Sequence, residues 1–333
     1  MRKALFMMAA MLFLSLCSCG TYQFQGTMKA QLPSVAKEVV PLFEYENLPD
    51  MNIRFHGKTE KEKNYTVREI KWTAKDFAIM KHKHMKGYFY EPVDQSKKRP
   101  ALVVLPPTGG PYEIVKDFAK YFADRGFVVL ALRRREAFFN PEKSEDYNAK
   151  LFRQAVIDAR RSLDYLEALD YVDKDQLCVM GVSLGGIITV LTMEMDTRVK
   201  AAGLIVTAGH LPDILKTSGY RTVGAYRNGL VQQAGIKRSE LYDYSKSFLR
   251  PYDPVTYADR LDPARIIMIN GAMDDIIRRE VVMETWESYG RPQLHFVVGG
   301  HYTTIGFSKR ANKKIFRHFI NILNLNPDNI AWK

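Results

Sequence analysis

From Ala101 onward the chain repeats one alternation, and nothing else in the sequence limits its fold as tightly. Ala101-Leu102-Val103-Val104-Leu105 is a continuous apolar run, followed by the turn residues Pro106 to Gly110 and a helical pattern from Tyr112 to Arg125. Runs of the same kind recur at Phe127 to Leu132, Leu177 to Met180, Ala201 to Val206, Ile266 to Ile269 and Leu294 to Val298, with helical stretches between them. A strand with one wet face alternates apolar and polar residues, whereas a strand covered on both faces has no reason to. The pattern therefore predicts an α/β fold built on a doubly wound, mostly parallel sheet. Helix candidates include Ala149 to Leu169, where Leu151, Ala155, Ala159, Leu163 and Leu166 keep roughly helical spacing, and Lys309 to Leu323.

Before Ala101 the runs are shorter and partly alternating. Met51 to Phe55, Val67 to Thr73 and Lys86 to Tyr90 read as antiparallel edge strands. With 333 residues, 46% of them hydrophobic, there is enough apolar material for one large core, so residues 51–325 are expected to form one main domain. Within it, residues 208–262 separate two strand runs and hold Tyr220, Tyr226, Tyr242, Tyr244, Phe248, Tyr252 and Tyr257. So long an aromatic-bearing insertion predicts a helical cap or lid, with most of the rings packing it onto the body.

Arg2 and Lys3, the apolar run Ala4 to Leu16 and the small residues after it form a signal-peptide pattern over residues 1–18. The run is too short for a permanent membrane-spanning helix, which needs about 20 residues. Leu16-Cys17-Ser18-Cys19 resembles the lipobox of bacterial lipoproteins, which implies acylation of Cys19, a membrane anchor and a place in the cell envelope outside the cytoplasm. Plain secretion is the alternative. Residues 19–50 then read as a tether and N-terminal extension. Once Cys19 is acylated the remaining thiol is Cys178, inside an apolar run, where it is expected to be a small buried residue.

The net charge is +12, with basic residues spread along the chain. Attraction to an anionic membrane or acidic substrate fits that charge. No nucleic-acid motif and no Cys/His zinc spacing accompanies it, so neither nucleic acid, metal nor cofactor is expected.

The chemistry concentrates at strand ends. Gly181-Val182-Ser183-Leu184-Gly185-Gly186 follows one apolar run and opens the helical stretch Ile187 to Met195, the setting in which a strained turn pushes a serine hydroxyl into the open. Such a hydroxyl needs a base. Of seven histidines, His301 follows the last apolar run as Gly299-Gly300-His301, on a loop at the same sheet edge, while His295 lies inside the run and reads as structural. An acid should follow the preceding strand, where Asp274 and Asp275 adjoin. The backbone of Leu184, with Thr108 or Gly109 from the earlier loop, is placed to form an oxyanion hole. Arg133 and Arg134 follow another strand run, where they are candidates for binding an acidic group on the substrate, or for structural pairing.

The elbow, the Gly271-x-x-Asp274 turn and the Gly-Gly-His ending together resemble the α/β-hydrolase superfamily, closest to its dienelactone hydrolase and small-esterase branch, over residues from about Lys86 to Leu323. That resemblance picks Asp274 over Asp275 as the acid. It implies an eight-stranded sheet and hydrolysis of a small ester or acyl substrate through an acyl-enzyme on Ser183, His301 and Asp274. A peptidase or acyltransferase on the same triad, and a non-catalytic scaffold, are the competing expectations.

Overall fold

The computed structural model describes residues 20–27, 40–46, 53–73, 84–109, 112–134, 136–306 and 308–326. The expected signal peptide and Cys19 lie outside the described residues. Among those residues, no helix is long and apolar enough to cross a membrane.

Ten strands form one sheet: β1 (Thr21–Tyr22), β2 (Arg54–Lys61), β3 (Tyr65–Thr73), β4 (His84–Pro92), β5 (Arg99–Leu105), β6 (Val128–Leu132), β7 (Val172–Val182), β8 (Val199–Ile205), β9 (Ile266–Gly271) and β10 (Gln293–Val297). Their order is β1-β10-β9-β8-β7-β5-β6-β4-β3-β2. Every pairing from β6 through β10 is parallel, while β2, β3 and β4 are antiparallel and β1 runs antiparallel to β10. This is the mostly parallel α/β sheet expected, with ten strands in place of the implied eight. The outermost strands differ from the core: β2 is exposed along its whole length, and β1 is only two residues long.

The apolar runs are explained by what covers them. In β5, Ala101, Val103 and Leu105 join a core cluster with helices α2 (Glu145–Glu167) and α3 (Leu184–Met195). Leu102 and Val104 point the other way, into a second cluster with α1 (Glu113–Ala123) and the C-terminal helix, Ser308–Ile322. Each such side chain taken fully out of water contributes about 1.5–3 kcal/mol, which holds both helical layers to the sheet. Ser144 begins α2 by accepting the Tyr147 N–H at 3.1 Å, and Glu145 and Asp146 sit in the first turn, where the helix dipole favours acids. Cys178 is fully buried in β7, and burial pushes its thiol pKa up.

The insertion between β8 and β9 contains α4 (Leu211–Thr217), α5 (Arg221–Ala234) and α6 (Leu241–Leu249), then short 3-10 turns. Asp253 fastens the start of α4: its carboxylate accepts the backbone N–H of His210 at 3.0 Å and of Leu211 at 2.8 Å. Burial raises the Asp253 carboxyl to about 6, the backbone donors opposing the shift. Burial also raises the nearby Glu194 carboxyl on α3 well above its ordinary value. The described parts of the N-terminal extension pack on the body. Phe43 is fully buried, edge-on to Tyr252 and Tyr257 at 6.3 and 6.2 Å, and Gly20 accepts from the Phe296 N–H at 2.8 Å.

Candidate active site

Ser183 occupies the turn between β7 and α3 with φ 54° and ψ −118°. That backbone is costly for a residue with a side chain, of order 1–3 kcal/mol, and persists only where the surroundings impose it. Two glycines do so. A β-carbon at Gly181 would stand 2.1 Å from the Gly185 carbonyl oxygen, and one at Gly185 would stand 2.3 Å from the Leu105 carbonyl oxygen. The end of β5, and with it the loop that follows, is thus pressed against the serine turn. The Ser183 N–H donates to Ile205 of β8 at 2.8 Å, which fixes the turn from its other side.

His301 opens a short helix, α8 (His301–Gly306), rather than lying on a loop. The preceding Gly299 and Gly300 let the chain reverse from β10 into that helix, with Gly299 at φ 148°. His301 is buried, and its Nε2 lies 3.1 Å from Ser183 Oγ. Its Nδ1 lies 2.7 Å from Asp274 Oδ2, so the carboxylate selects the tautomer with the proton on Nδ1 and leaves Nε2 free to accept from the serine. The other Asp274 oxygen accepts the N–H groups of Ile276 and Ile277, both at 2.9 Å. With its carboxyl fully enclosed and three donors upon it, Asp274 is held in one orientation. Asp275 is exposed, its carboxylate 3.3 Å from where a Gly219 β-carbon would stand, and its backbone carbonyl accepts the Gly219 N–H of the insertion at 2.9 Å.

Leu184, Thr108 and Gly109 line the same cavity as Ser183 and His301. The Tyr220 hydroxyl closes over this loop, 2.5 Å from where a Gly109 β-carbon would stand. The cavity holds about 110 Å³. Its insertion wall is Leu211, Ile214, Leu215 and Val223 with the polar Ser218 and Tyr220, and no Asp, Glu, Lys or Arg is among its described lining residues.

Arg133 and Arg134 are elsewhere. They line a smaller cavity of about 50 Å³ on the far side of Leu184, together with Glu136, Gln154 and Asp158. Arg133 pairs with Glu69 of β3 at 2.9 Å. Arg134 donates from Nη1 to the Pro107 carbonyl at 2.7 Å, bracing the Thr108–Gly109 loop from behind. His295, read as structural, meets Thr21 Oγ1 at 3.0 Å, and burial lowers its pKa to about 4. Outside the serine cavity, His210, Asp213 and Glu284 bring three potential metal-ligand atoms within 4.8 Å of one another. The cavity wall and Tyr220 were missed from sequence. The aromatic insertion signalled a cover, but nothing in its spacing distinguished Tyr220 from its six companions.

A serine on a strained strand-to-helix turn of a mostly parallel sheet, facing a histidine and a buried aspartate from later strand ends, defines the architecture of an α/β hydrolase. The comparisons agree: residues 85–207 match the dienelactone hydrolase family. The uncharacterized protein YcjY of Escherichia coli (strain K12) is 24% identical over 222 residues, a match covering 66% of this chain and 65% of that relative. Among solved structures, acetyl xylan esterase 1 from Thermoanaerobacterium sp. JW/SL YS485 superposes with a TM-score of 0.59 at 17% identity, covering 92% of this chain and 98% of that one. The acetyl xylan esterase from Paenibacillus sp. R4 gives 0.56 at 14% identity, with 88% and 97% covered.

Proposed function

We propose that the protein is a carboxylesterase acting through Ser183, His301 and Asp274 on esters whose group next to the carbonyl is apolar. The observation that carries the reading is the continuous hydrogen-bonded series Ser183–His301–Asp274 opening into a cavity without charged walls. As Ser183 Oγ attacks the ester carbonyl carbon, its proton passes to His301 Nε2, and Asp274 stabilises the imidazolium without taking the proton. The carbonyl oxygen becomes an oxyanion, received by the Leu184 N–H at the start of α3 and by an N–H of the Thr108–Gly109 loop. His301 returns the proton to the departing alcohol, leaving an acyl-serine. Water then repeats the sequence and frees the acid.

The cavity walls narrow the substrate. An ionised group placed there would lose its hydration with no opposite charge to replace it, so acidic esters are selected against. The volume is comparable to the roughly 150 Å³ apolar cavity that accepts benzene, which suits a group of several carbons.

A fluorophosphonate probe and p-nitrophenyl esters from acetate to octanoate, with a succinate half-ester for charge, test this. Labelling that vanishes in Ser183→Ala, with turnover rising beyond acetate and poor for the half-ester, is the expected result. Labelling without ester turnover would move the reading to a transferase or peptidase, and an unlabelled folded protein would end it. We also assign Cys19 as the lipid attachment point, supported by its lipobox-like setting. Palmitate label lost in Cys19→Ala is the expected result, and label retained would refute it.

A further inference from the structure

The chain's positive charge has no part in the apolar site, but one element concentrates it. The C-terminal helix, α9 (Ser308–Ile322, with α7, Arg279–Ser288, preceding β10), has the sequence SKRANKKIFRHFINI, with five Lys and Arg residues and no acid in fifteen positions. Residues 309, 310, 313, 314 and 317 fall within about 140° of the helix circumference at 100° per residue. Ala311, Asn312, Ile315, His318 and Phe319 form the opposite, buried face, packed on the sheet, and Ile320 is buried at the helix end on the basic side. Lys309, Arg310, Lys313 and Arg317 are exposed, and Lys314 is half-buried beside His295, its Nζ 3.5 Å from the ring. A basic helical face with no acidic residue of its own carries a local field that ordinary surface helices cancel with i,i+4 acids.

The place of this face in the fold gives it an occupant. Thr21 of β1 shares a surface hollow with Arg310 and Lys314, so the N-terminal strand ends against the basic helix. Gly20 and Thr21 are hydrogen-bonded to Phe296 and His295, and Tyr22 packs against Trp286 with the rings tilted and their centroids 5.1 Å apart. Cys19 is the residue immediately before Gly20. A lipid chain on Cys19 therefore has almost no slack before the folded body begins, and the surface next to that point is the basic face of α9.

We propose that the basic face of α9 is a membrane-docking surface that lies on anionic lipid headgroups. The orientation it gives rests on the lipid attachment assigned above, whereas its affinity for headgroups does not. Acyl chain and basic face are then two signals acting at one spot, the combination that converts marginal anchoring into stable attachment.

The chain from Gly20 onward contains every described element, so its binding to vesicles reads the face without the anchor. Cosedimentation with phosphatidylcholine vesicles is compared with vesicles that are one quarter phosphatidylglycerol, at low and high salt. Binding is expected only to the anionic vesicles and only at low salt. Each basic side chain at the surface contributes about fivefold, so Lys309→Gln/Lys313→Gln/Arg317→Gln should weaken binding about 100-fold. A control with the same charge change on exposed residues elsewhere, Lys58→Gln/Lys97→Gln/Lys98→Gln, should change it by less than about fivefold. Equal losses in both triple variants would show that net charge, not this face, binds, and an unaffected α9 variant would overturn the proposal. Retained turnover of a soluble ester by the α9 variant shows that it is folded. Loss of palmitate label without loss of vesicle binding would remove the anchor and leave the face standing.

Discussion

Two cavities share Leu184 as a common wall, one holding Ser183 and the other Arg133 and Arg134; both are largely apolar, but among the described lining residues only the second has Asp, Glu, Lys or Arg. On the serine side the insertion supplies Leu211, Ile214, Leu215 and Val223. On the arginine side α2 supplies Gln154 and Asp158, hydrogen-bonded to each other at 2.9 Å, and β3 supplies the acid that pairs Arg133. Both cavities sit at the carboxyl edge of the same sheet, yet only one has room and an unshielded nucleophile. In the smaller one Arg133, Arg134, Gln154 and Asp158 are engaged by protein groups, while Glu136 keeps one buried oxygen without a hydrogen-bond partner. Proximity to a catalytic edge is thus a poor guide to contact with substrate, and pairing is a better one.

The sharpest way to break this contrast compares an aspartate from each side. Asp274→Asn should lower kcat about 10⁴-fold, because the amide favours the wrong imidazole tautomer. Asp158→Asn should leave kcat of the folded protein within about twofold while lowering Tm, the cost of disturbing a buried hydrogen-bond partner being about 1–3 kcal/mol. A large kcat loss at Asp158 would mean that the two cavities act as one site. Next in size is Ile214→Trp, which fills the apolar side. It should cut kcat/KM for octanoate about 10- to 100-fold and for acetate far less. Equal losses for both esters would place the substrate elsewhere.

A smaller effect separates the two arginines. Arg134→Ala removes the brace on the Pro107 carbonyl and should lower kcat about tenfold, by the same factor for acidic and neutral esters. Arg133→Ala removes a half-exposed ion pair and a cation–π contact with the Tyr112 ring at 5.0 Å, and should change rates about twofold or less. A KM effect confined to acidic esters would return these side chains to a substrate role.

The smallest effect concerns the acid that secures the apolar wall. Asp253 ionises near pH 6 in the fold against an ordinary value of 3.8, so the unfolded chain gives up this proton first. Its stabilising contribution is complete below about pH 3.8 and is lost as pH rises through about 6. Wild-type Tm should therefore fall relative to Asp253→Asn between pH 4 and pH 7 in thermal melts. The Asp253 charge also helps to raise the buried Glu194 carboxyl, so the difference reports the two acids as a coupled pair.

Much of this molecule is legible in its residues. The strands buried on both faces announce themselves because each must satisfy two helical layers, and the serine turn does so because its glycines sit where any β-carbon would strike backbone. What escapes the sequence depends on partners far along the chain. Arg133 reads as available until Glu69 is beside it, and Asp274 and Asp275 are equivalent as letters until one is enclosed and the other is wet. The two-residue β1 is too short to show a period, so its place beside β10 had no local signal. The His301 helix is similar, its six residues being too few for an apolar stripe to show.

The hydrogen bond from Gly219 to the Asp275 carbonyl makes the insertion a lever on the active-site acid. Any outward swing of α4 and α5 large enough to break it tugs the very loop whose next two amides hold the Asp274 carboxylate. Under the proposed esterase reading, displacement of the insertion and the hold on Asp274 are coupled through this one bond, and the exchange rates of the Ile276 and Ile277 amides would read that coupling.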